Sequence, residues 1–254
     1  MTNFVPCRNC KGKKGPKPGF FYTDVEYGSV ISKGIIECDC HKAYVQREML
    51  QIKALEANLW PAAFDYNIDT EYKGTKSRAN ITRLKKYVFE FDKFKSAMVY
   101  LYGPNGTLKT TLALWIGASV LHKGYSVQYM LMQNLLVALT AGFEDEEKIA
   151  RVTKLKEVDL LIIDESFSKD KVTVYDSGFQ LPFLDRFLRE RFEMKKKGIV
   201  FISNKASKEI ESQKFSRSIQ DFVIRNTVPH KTDLEFLDNY MLEASGFDSK
   251  GLFD

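Results

Sequence analysis

The apolar run Met98-Val-Tyr-Leu-Tyr102 leads without interruption into Gly103-Pro-Asn-Gly-Thr-Leu-Lys109-Thr110-Thr111 and on into a nearly apolar segment from Leu112 to Leu121. Strand, glycine-bearing turn, Lys-Thr pair and helix in that order nearly reproduce the strand–GxxxxGK[ST]–helix phosphate loop, and no other feature limits the fold so strongly. The spacing has a geometric reason. Gly103 and Gly106 let the backbone turn its N–H groups toward phosphates, the helix N-terminus adds partial positive charge, Lys109 reaches the terminal phosphates, and Thr110 offers a hydroxyl to Mg²⁺. Pro104, Asn105, Thr107 and Thr111 complete the expected nucleotide-binding stretch. Leu108 stands where the pattern has its last glycine, and its Cβ is expected to crowd the phosphate or the neighbouring strand.

A second motif answers the first. Val158-Asp-Leu-Leu-Ile-Ile-Asp164-Glu165 is an apolar strand that ends in two adjacent carboxylates. In phosphate-loop enzymes the first such acid holds Mg²⁺, here Asp164, and the second can polarise the attacking water, here Glu165. The next apolar run, Gly198-Ile-Val-Phe-Ile-Ser-Asn204, places an amide at its end that could sense the γ-phosphate or position the water. From Ala97 onward, β-rich runs at Ala97–Tyr102, Tyr125–Leu131, Leu160–Ile163 and Gly198–Ser203 alternate with helical runs at 109–122, 132–141, 146–157 and 180–196. That alternation predicts an α/β domain with a parallel, five-stranded sheet flanked by helices.

All 4 cysteines of the 254-residue chain lie in its first 40 positions. Cys7-x₂-Cys10 and Cys38-x-Cys40 bracket an alternating stretch, Phe20 to Cys38, that predicts a hairpin. Two thiol pairs carried on two turns can close a tetrahedral zinc site, and a reducing cytosol disfavours disulfides; unligated thiols or another metal are the alternatives. His41 could replace Cys40 as a ligand. A helix is expected over 42–58, ended by Trp60-Pro61. The start of the chain has no signal-peptide h-region and no segment reaches the ~20 apolar residues of a membrane span, so a cytoplasmic protein without membrane contact is expected. With 38 basic against 33 acidic side chains, the net charge of +5 permits nucleic-acid contact without demanding it.

With a phosphate loop, the Asp164-Glu165 pair and a strand-end Asn204 in that order, the chain resembles the AAA+ ATPases. More narrowly it resembles the bacterial and phage helicase loaders of the DnaC/DnaI type and the related IstB transposition ATPases. The likeness covers about residues 60–228, through Leu101-Tyr-Gly-Pro-Asn-Gly, Lys123-Gly-Tyr-Ser-Val, Asp159-Leu-Leu-Ile-Ile-Asp-Glu and Ile202-Ser-Asn. It implies ATP and Mg²⁺ as ligands, weak or partner-stimulated ATP hydrolysis, and a homo-oligomer when assembled. It implies an arginine finger at Arg217, with Arg225 as the substitute, and a zinc module that engages a hexameric replicative helicase. The organisation that follows is a zinc-binding module at 1–43, helix and linker at 44–72, the ATPase domain at 73–235 and a tail at 236–254.

The implied activity is an ATP-dependent loader that opens or places a ring helicase on single-stranded DNA. An IstB-like partner of a transposase, a low-turnover nucleotide switch, and an inhibitor seated on a helicase or host loader are the alternatives. Two segments could follow the strand. One is the basic stretch 73–95, with Lys73, Lys76, Arg78, Arg83, Lys85 and Lys86 among its cations, although Ile81, Leu84, Tyr87 and Val88 have the spacing of a core-facing helix. The other is Ser166–Gly178, with Lys169, Lys171 and Tyr175. Phe183, Phe187, Leu188 and Phe192 are expected in the core.

Overall fold

The computed structural model describes residues 4–27, 30–64, 66–71, 75–140, 146–227 and 239–243. It divides into two compact units, Met1–Lys53 and Ala54–Asp254. Among the described residues no helix is long and apolar enough to cross a membrane.

In the first unit, β1 (Phe20–Tyr27) and β2 (Val30–Glu37) pair antiparallel, with Phe20 opposite Glu37 and Thr23 opposite Gly34. Helix α1 (Asp39–Glu56) starts directly after the hairpin, earlier than its apolar residues predict, so that Cys40 stands in its first turn. Gly19 is buried at φ +84°, and a Cβ there would come within 2.6 Å of His41 Cβ and 2.8 Å of its ring. Only glycine fits that combination of left-handed backbone and close approach.

The second unit opens with a 3₁₀ turn at Pro61–Phe64 and then α2 (Ile68–Glu71), α3 (Thr75–Phe89) and α4 (Phe91–Phe94). The alternating part follows as β3 (Met98–Tyr102), α5 (Lys109–His122), β4 (Val127–Leu131), α6 (Met132–Thr140), α7 (Glu146–Glu157), β5 (Leu160–Asp164), α8 (Gln180–Arg189), β6 (Gly198–Ser203) and α9 (Arg217–Thr227). A last strand, β7 (Asn239–Glu243), lies within the segment expected to be a tail, and it pairs with β3. The five strands run in the order β4-β5-β6-β3-β7, every neighbouring pair parallel. The expected α/β architecture with a parallel sheet flanked by helices is what the chain forms.

Side-chain alternation divides the core in two. Val99, Leu101, Leu160, Ile162, Val200 and Ile202 join α5, α3 and α4 on one face. Met98, Tyr100, Leu161, Ile163, Ile199 and Phe201 join residues of α6, α8 and α9 on the other. Both faces are covered, so the strands read as continuous apolar runs, and successive residues belong to different cores. On α3, Ile81, Leu84, Tyr87 and Val88 are buried in the first of these cores, while Lys85 pairs with Asp69. Lys73, and the side chains of Lys76 and Arg78, lie outside the described residues. Among the aromatics expected in the core, Phe187 is buried and Phe192 half-buried, whereas Phe183 is exposed at 38% because it faces away from the buried side of α8 that carries Leu184, Phe187 and Leu188.

The expected helix 180–196 is interrupted. After Arg189 the backbone widens into a π-helical turn, Glu190–Met194, which aims Arg191 inward. This side chain has no exposed surface, and its guanidinium donates to the carbonyls of Leu155 at 2.7 Å, Lys156 at 3.2 Å, Val158 at 2.8 Å and Gly198 at 2.8 Å. Burial lowers its pKa to about 9, which leaves it charged at neutral pH. It therefore ties the end of α7 and the approach to β5 to the first residue of β6. Arg191→Met keeps the volume but leaves three buried acceptors and a part-buried one without their donor, and is expected to cost about 3–5 kcal/mol. A denaturant titration giving a loss below ~1 kcal/mol would contradict that role.

Candidate nucleotide and metal sites

Parallel pairing brings the carboxyl ends of β3, β5 and β6 to one edge of the sheet: Tyr102 stands opposite Ser203, and Ile163 opposite Phe201. Ligands of open α/β sheets bind outside such an edge. Short bonds fasten the three ends together. Gly103 N–H donates to Ser203 O at 3.3 Å, Ser166 N–H to Ile202 O at 2.7 Å, and the Ser203 hydroxyl to Ser166 O at 2.6 Å. Above them lies a cleft of about 290 Å³ lined by Asn105 to Thr110 of the loop, by Asp164, Glu165 and Lys171, and by Ile202, Ser203 and Asn204.

The turn entering α5 has Gly103 at φ +147° and Gly106 at φ +79°, both in the region that favours glycine. Leu108, the residue before the helix, also adopts the left-handed conformation, at φ 58° and ψ 23°. The leucine thus holds the left-handed backbone conformation that favours glycine, at a cost of ~1–2 kcal/mol. Its side chain packs against the core cluster that includes α5. The expectation that its Cβ crowds the phosphate thus meets a backbone already in the glycine conformation and a side chain partly turned into the core.

Lys109 is only 7% exposed, and its Nζ donates to Pro104 O at 2.6 Å and to Thr107 Oγ1 at 3.2 Å. Burial lowers its pKa, and the nearby Asp164 carboxylate opposes that shift. The Thr110 hydroxyl donates to Asp164 Oδ2 at 2.8 Å, which joins the first turn of α5 to the end of β5. The same oxygen accepts the Tyr129 hydroxyl at 2.8 Å, and Oδ1 accepts Glu165 N–H at 2.6 Å. Burial, reinforced by the charge of Asp164, drives the Tyr129 phenol pKa upward, so it stays a donor.

Glu165 itself has φ +52° and Phe167 φ +54°. With Leu108, this makes three non-glycine residues in the left-handed region within or beside one cleft, the kind of strain that gathers at functional sites. The Glu165 carboxylate meets Lys171 Nζ at 3.2 Å. Lys171 belongs to the connection from Ser166 to Gly178, which is held down by buried Phe167, Val172 and Val174 and by the Gln133 side chain accepting Thr173 N–H at 2.7 Å. Lys169 is exposed, and exposed Tyr175 and Phe179 lie with ring centroids 5.5 Å apart.

The cleft thus gathers Asn105 to Thr110, Asp164, Glu165 and Asn204, while Gly103 and Pro104 precede it in the loop without lining it. Thr111 is in the first turn of α5, half-buried, and does not line the cleft. Arg217 opens α9, exposed, with Nε 3.9 Å from Asp221, and it too does not line the cleft; Arg225 is exposed farther along the same helix. The residues after Thr227 lie outside the described residues, apart from β7. Nothing in the sequence pattern marks Tyr129. A tyrosine in a half-buried strand is an ordinary core residue until the pairing of β4 with β5, Tyr129 opposite Ile162, puts its ring beside Asp164.

In the first unit the four sulfur atoms of Cys7, Cys10, Cys38 and Cys40 all lie within 4.8 Å of one another. Three pairs are 3.8, 3.7 and 3.5 Å apart. Four sulfurs around one tetrahedral ion with metal–sulfur bonds near 2.3 Å would be ~3.8 Å apart, so the donor set fits zinc. These separations are far beyond the ~2.05 Å of a disulfide. The N–H groups of Asn9 and Cys10 draw the Cys7 pKa down to about 7, while burial pushes the Cys10 thiol up to about 12. His41 is not in the cluster. Its Nδ1 is 2.6 Å from Glu37 Oε1, and its ring packs on Phe4 and Phe20.

A family model for IstB-like ATP binding proteins matches residues 38–215. No curated protein sequence matches the chain closely. Among solved structures, the DnaC helicase loader superposes with a TM-score of 0.56 at 14% identity, over 71% of this chain and 97% of that one. DnaI gives 0.52 at 17% identity, over 67% and 86%. AMPPCP-bound DnaA from Aquifex aeolicus gives 0.55 at 17% identity over 73% of this chain, which spans about half of that protein's length (50%). At such identities the structural likeness is one of fold, and it agrees with the sheet and loop just described. The family match covers well over half of the chain, which therefore belongs to the IstB-like ATP-binding proteins.

Proposed function

We propose that this chain is an ATP-driven loader that opens or places a ring helicase on single-stranded DNA. The observation that carries the nucleotide part is the Thr110–Asp164 hydrogen bond beneath Lys109 and beside Glu165, a constellation fitted to a Mg²⁺-bound triphosphate. Thr110 and Asp164 are the residues that would hold Mg²⁺, which when bound neutralises phosphate charge. The loop N–H groups from Asn105 to Lys109 bind phosphate oxygens. Lys109 Nζ, now on the neutral carbonyl of Pro104, exchanges it for a charged phosphate oxygen, a stronger acceptor. Glu165 orients a water in line with the γ-phosphate and takes its proton at a carboxylate oxygen, and Asn204 steadies that water. Lys171 pairs with the Glu165 carboxylate, so breaking that pair frees the base and raises turnover modestly.

The helicase and DNA parts rest on fold and chemistry together. A DnaC helicase loader shares the fold, and a DnaA structure bound to AMPPCP and single-stranded DNA does as well, with a TM-score of 0.53. The exposed Tyr175 and Phe179 rings, on a connection that also carries Lys169 and Lys171, supply stacking surfaces and cations for a single strand. Arg217 acts on the nucleotide of an adjacent copy in an oligomer. The four cysteines hold one structural zinc, the ion whose tetrahedral sulfur geometry their spacing matches, and the module carrying it docks on the helicase in the cytoplasm. The family match itself favours a second reading, in which the same ATPase serves a transposase.

Lys109→Ala should weaken Mg·ATP binding by at least ~100-fold, whereas Glu165→Gln should keep ATP bound and slow hydrolysis by about 100-fold or more, since the amide preserves shape but accepts no proton. Calorimetry and phosphate release separate the two effects, and equal turnover in wild type and Glu165→Gln would remove Glu165 from the chemistry.

Leu108→Gly should change ATP affinity by no more than about 3-fold, because the backbone already follows the path glycine would take. A gain of tenfold or more in the same calorimetric titration would show that the leucine side chain obstructs the phosphate.

Metal analysis should find one zinc per chain, and Cys38→Ser should release it and abolish co-purification with a hexameric helicase while ATP binding persists. Helicase capture by a zinc-free variant would move docking to the ATPase unit; capture of a transposase instead would favour the second reading.

A further inference from the structure

Asp164 is the residue on which the proposed metal site depends, and its side chain is gripped from three directions. Oδ2 accepts the hydroxyls of Thr110 and Tyr129, each at 2.8 Å, while Oδ1 accepts Glu165 N–H at 2.6 Å. Two of these donors come from inside the motifs. The third comes from the middle of β4, the strand at the far edge of the sheet, which contributes nothing else to the cleft.

The Tyr129 ring has little freedom to leave. Its strand is in parallel register with β5, its N–H donates to Ala57 O at 2.8 Å, its own carbonyl accepts the Asn58 side chain at 3.4 Å, and its ring packs against the core that contains Ile162. Tyr129 does not line the cleft, so it is placed to act on a carboxylate rather than on a nucleotide.

We propose that Tyr129 is a positioning residue for the divalent cation of the nucleotide: its hydroxyl fixes the rotation of the Asp164 carboxylate. A carboxylate held only by Glu165 N–H and Thr110 can turn about its last side-chain torsion, since the torsions of carboxyl groups are broad and the threonine must also serve the metal. A phenol anchored in the core adds a donor that does not move when the metal arrives. It leaves the remaining lone pair of Asp164, on Oδ1, free for the cleft before any cation is bound. What the phenol supplies is geometry.

This inference rests on the nucleotide reading above, and one titration separates the two. Binding of a fluorescent ATP analogue to the full chain is measured in EDTA and again across a Mg²⁺ series, for wild type, Tyr129→Phe, Asp164→Asn and the double variant. Tyr129→Phe should bind the analogue in EDTA as wild type does, and should need about 3- to 10-fold more Mg²⁺ for half of the Mg²⁺-dependent gain, the effect expected of one lost supporting hydrogen bond. In the Asp164→Asn background the same change should have no further effect, because Tyr129 acts through that carboxylate. An unchanged Mg²⁺ requirement in Tyr129→Phe overturns the inference. An equal loss of binding with and without Mg²⁺ also overturns it, by showing a role confined to the fold. Additive effects in the double variant would mean that Tyr129 works by another route. If wild type shows no Mg²⁺-dependent binding at all, the nucleotide reading fails and this role falls with it; if wild type shows it and Tyr129→Phe matches, the nucleotide reading stands alone.

Discussion

The two hydroxyls on Asp164 Oδ2 come from elements far apart in the chain, one from the first turn of α5 and one from the middle of β4. Much of the candidate site hangs on that atom. It links the phosphate loop to the acidic strand, although β6 lies between β3 and β5 and the loop has to reach across it. The reach is possible because the strand ends are in register and are laced by the Ser203, Ser166 and Gly103 bonds. A slip of one residue in any of these strands would exchange its two core faces and turn the terminal carboxylate away from the cleft.

The same edge stores backbone strain. Leu108, Glu165 and Phe167 adopt a conformation that costs each of them ~1–2 kcal/mol. Each is held there by its surroundings: Leu108 by packing on the core, Phe167 by full burial, Glu165 by its N–H bond to Asp164 and its ion pair with Lys171. The pair between Glu165 and Lys171 is partly exposed and therefore weak, worth up to ~1 kcal/mol. A polyanion drawing Lys171 away could break it at little cost, which gives the proposed DNA surface a direct line to the proposed base.

The remote end of the sheet is organised by a different charge. Arg191, buried by the π-helical turn after α8, bonds two carbonyls at the end of α7, one just before β5 and one at the first residue of β6, all at the end of the sheet opposite the cleft. Its position helps hold the register that the cleft needs. In the amino-terminal unit, the four sulfurs converge because Cys7 and Cys10 lie on one tight turn, while Cys38 and Cys40 lie at the start of α1, which is itself entered directly from β2.

Much of this was legible in the sequence, because it is written in local patterns. The glycines and the Lys-Thr pair at 103–110, the acids closing an apolar run at 164–165, and the paired cysteines require only neighbouring residues to be read, and the alternation of apolar strands and helices requires only periodicity. Other features depend on contacts between segments that share no pattern. Tyr129 reads as core until pairing sets it beside Asp164, Lys171 reads as a loop cation until it meets Glu165, and Arg191 reads as a surface arginine until a widened helical turn points it inward. β7 follows a segment with no strand signal strong enough to separate it from a tail, and its place beside β3 comes from pairing. The sequence alone determined which chemistry the chain carries and the class of fold that carries it, since both follow from residue type and spacing. Only the tertiary structure decided which partners each group meets, because register and helix packing set those distances, and they depend on the whole chain at once.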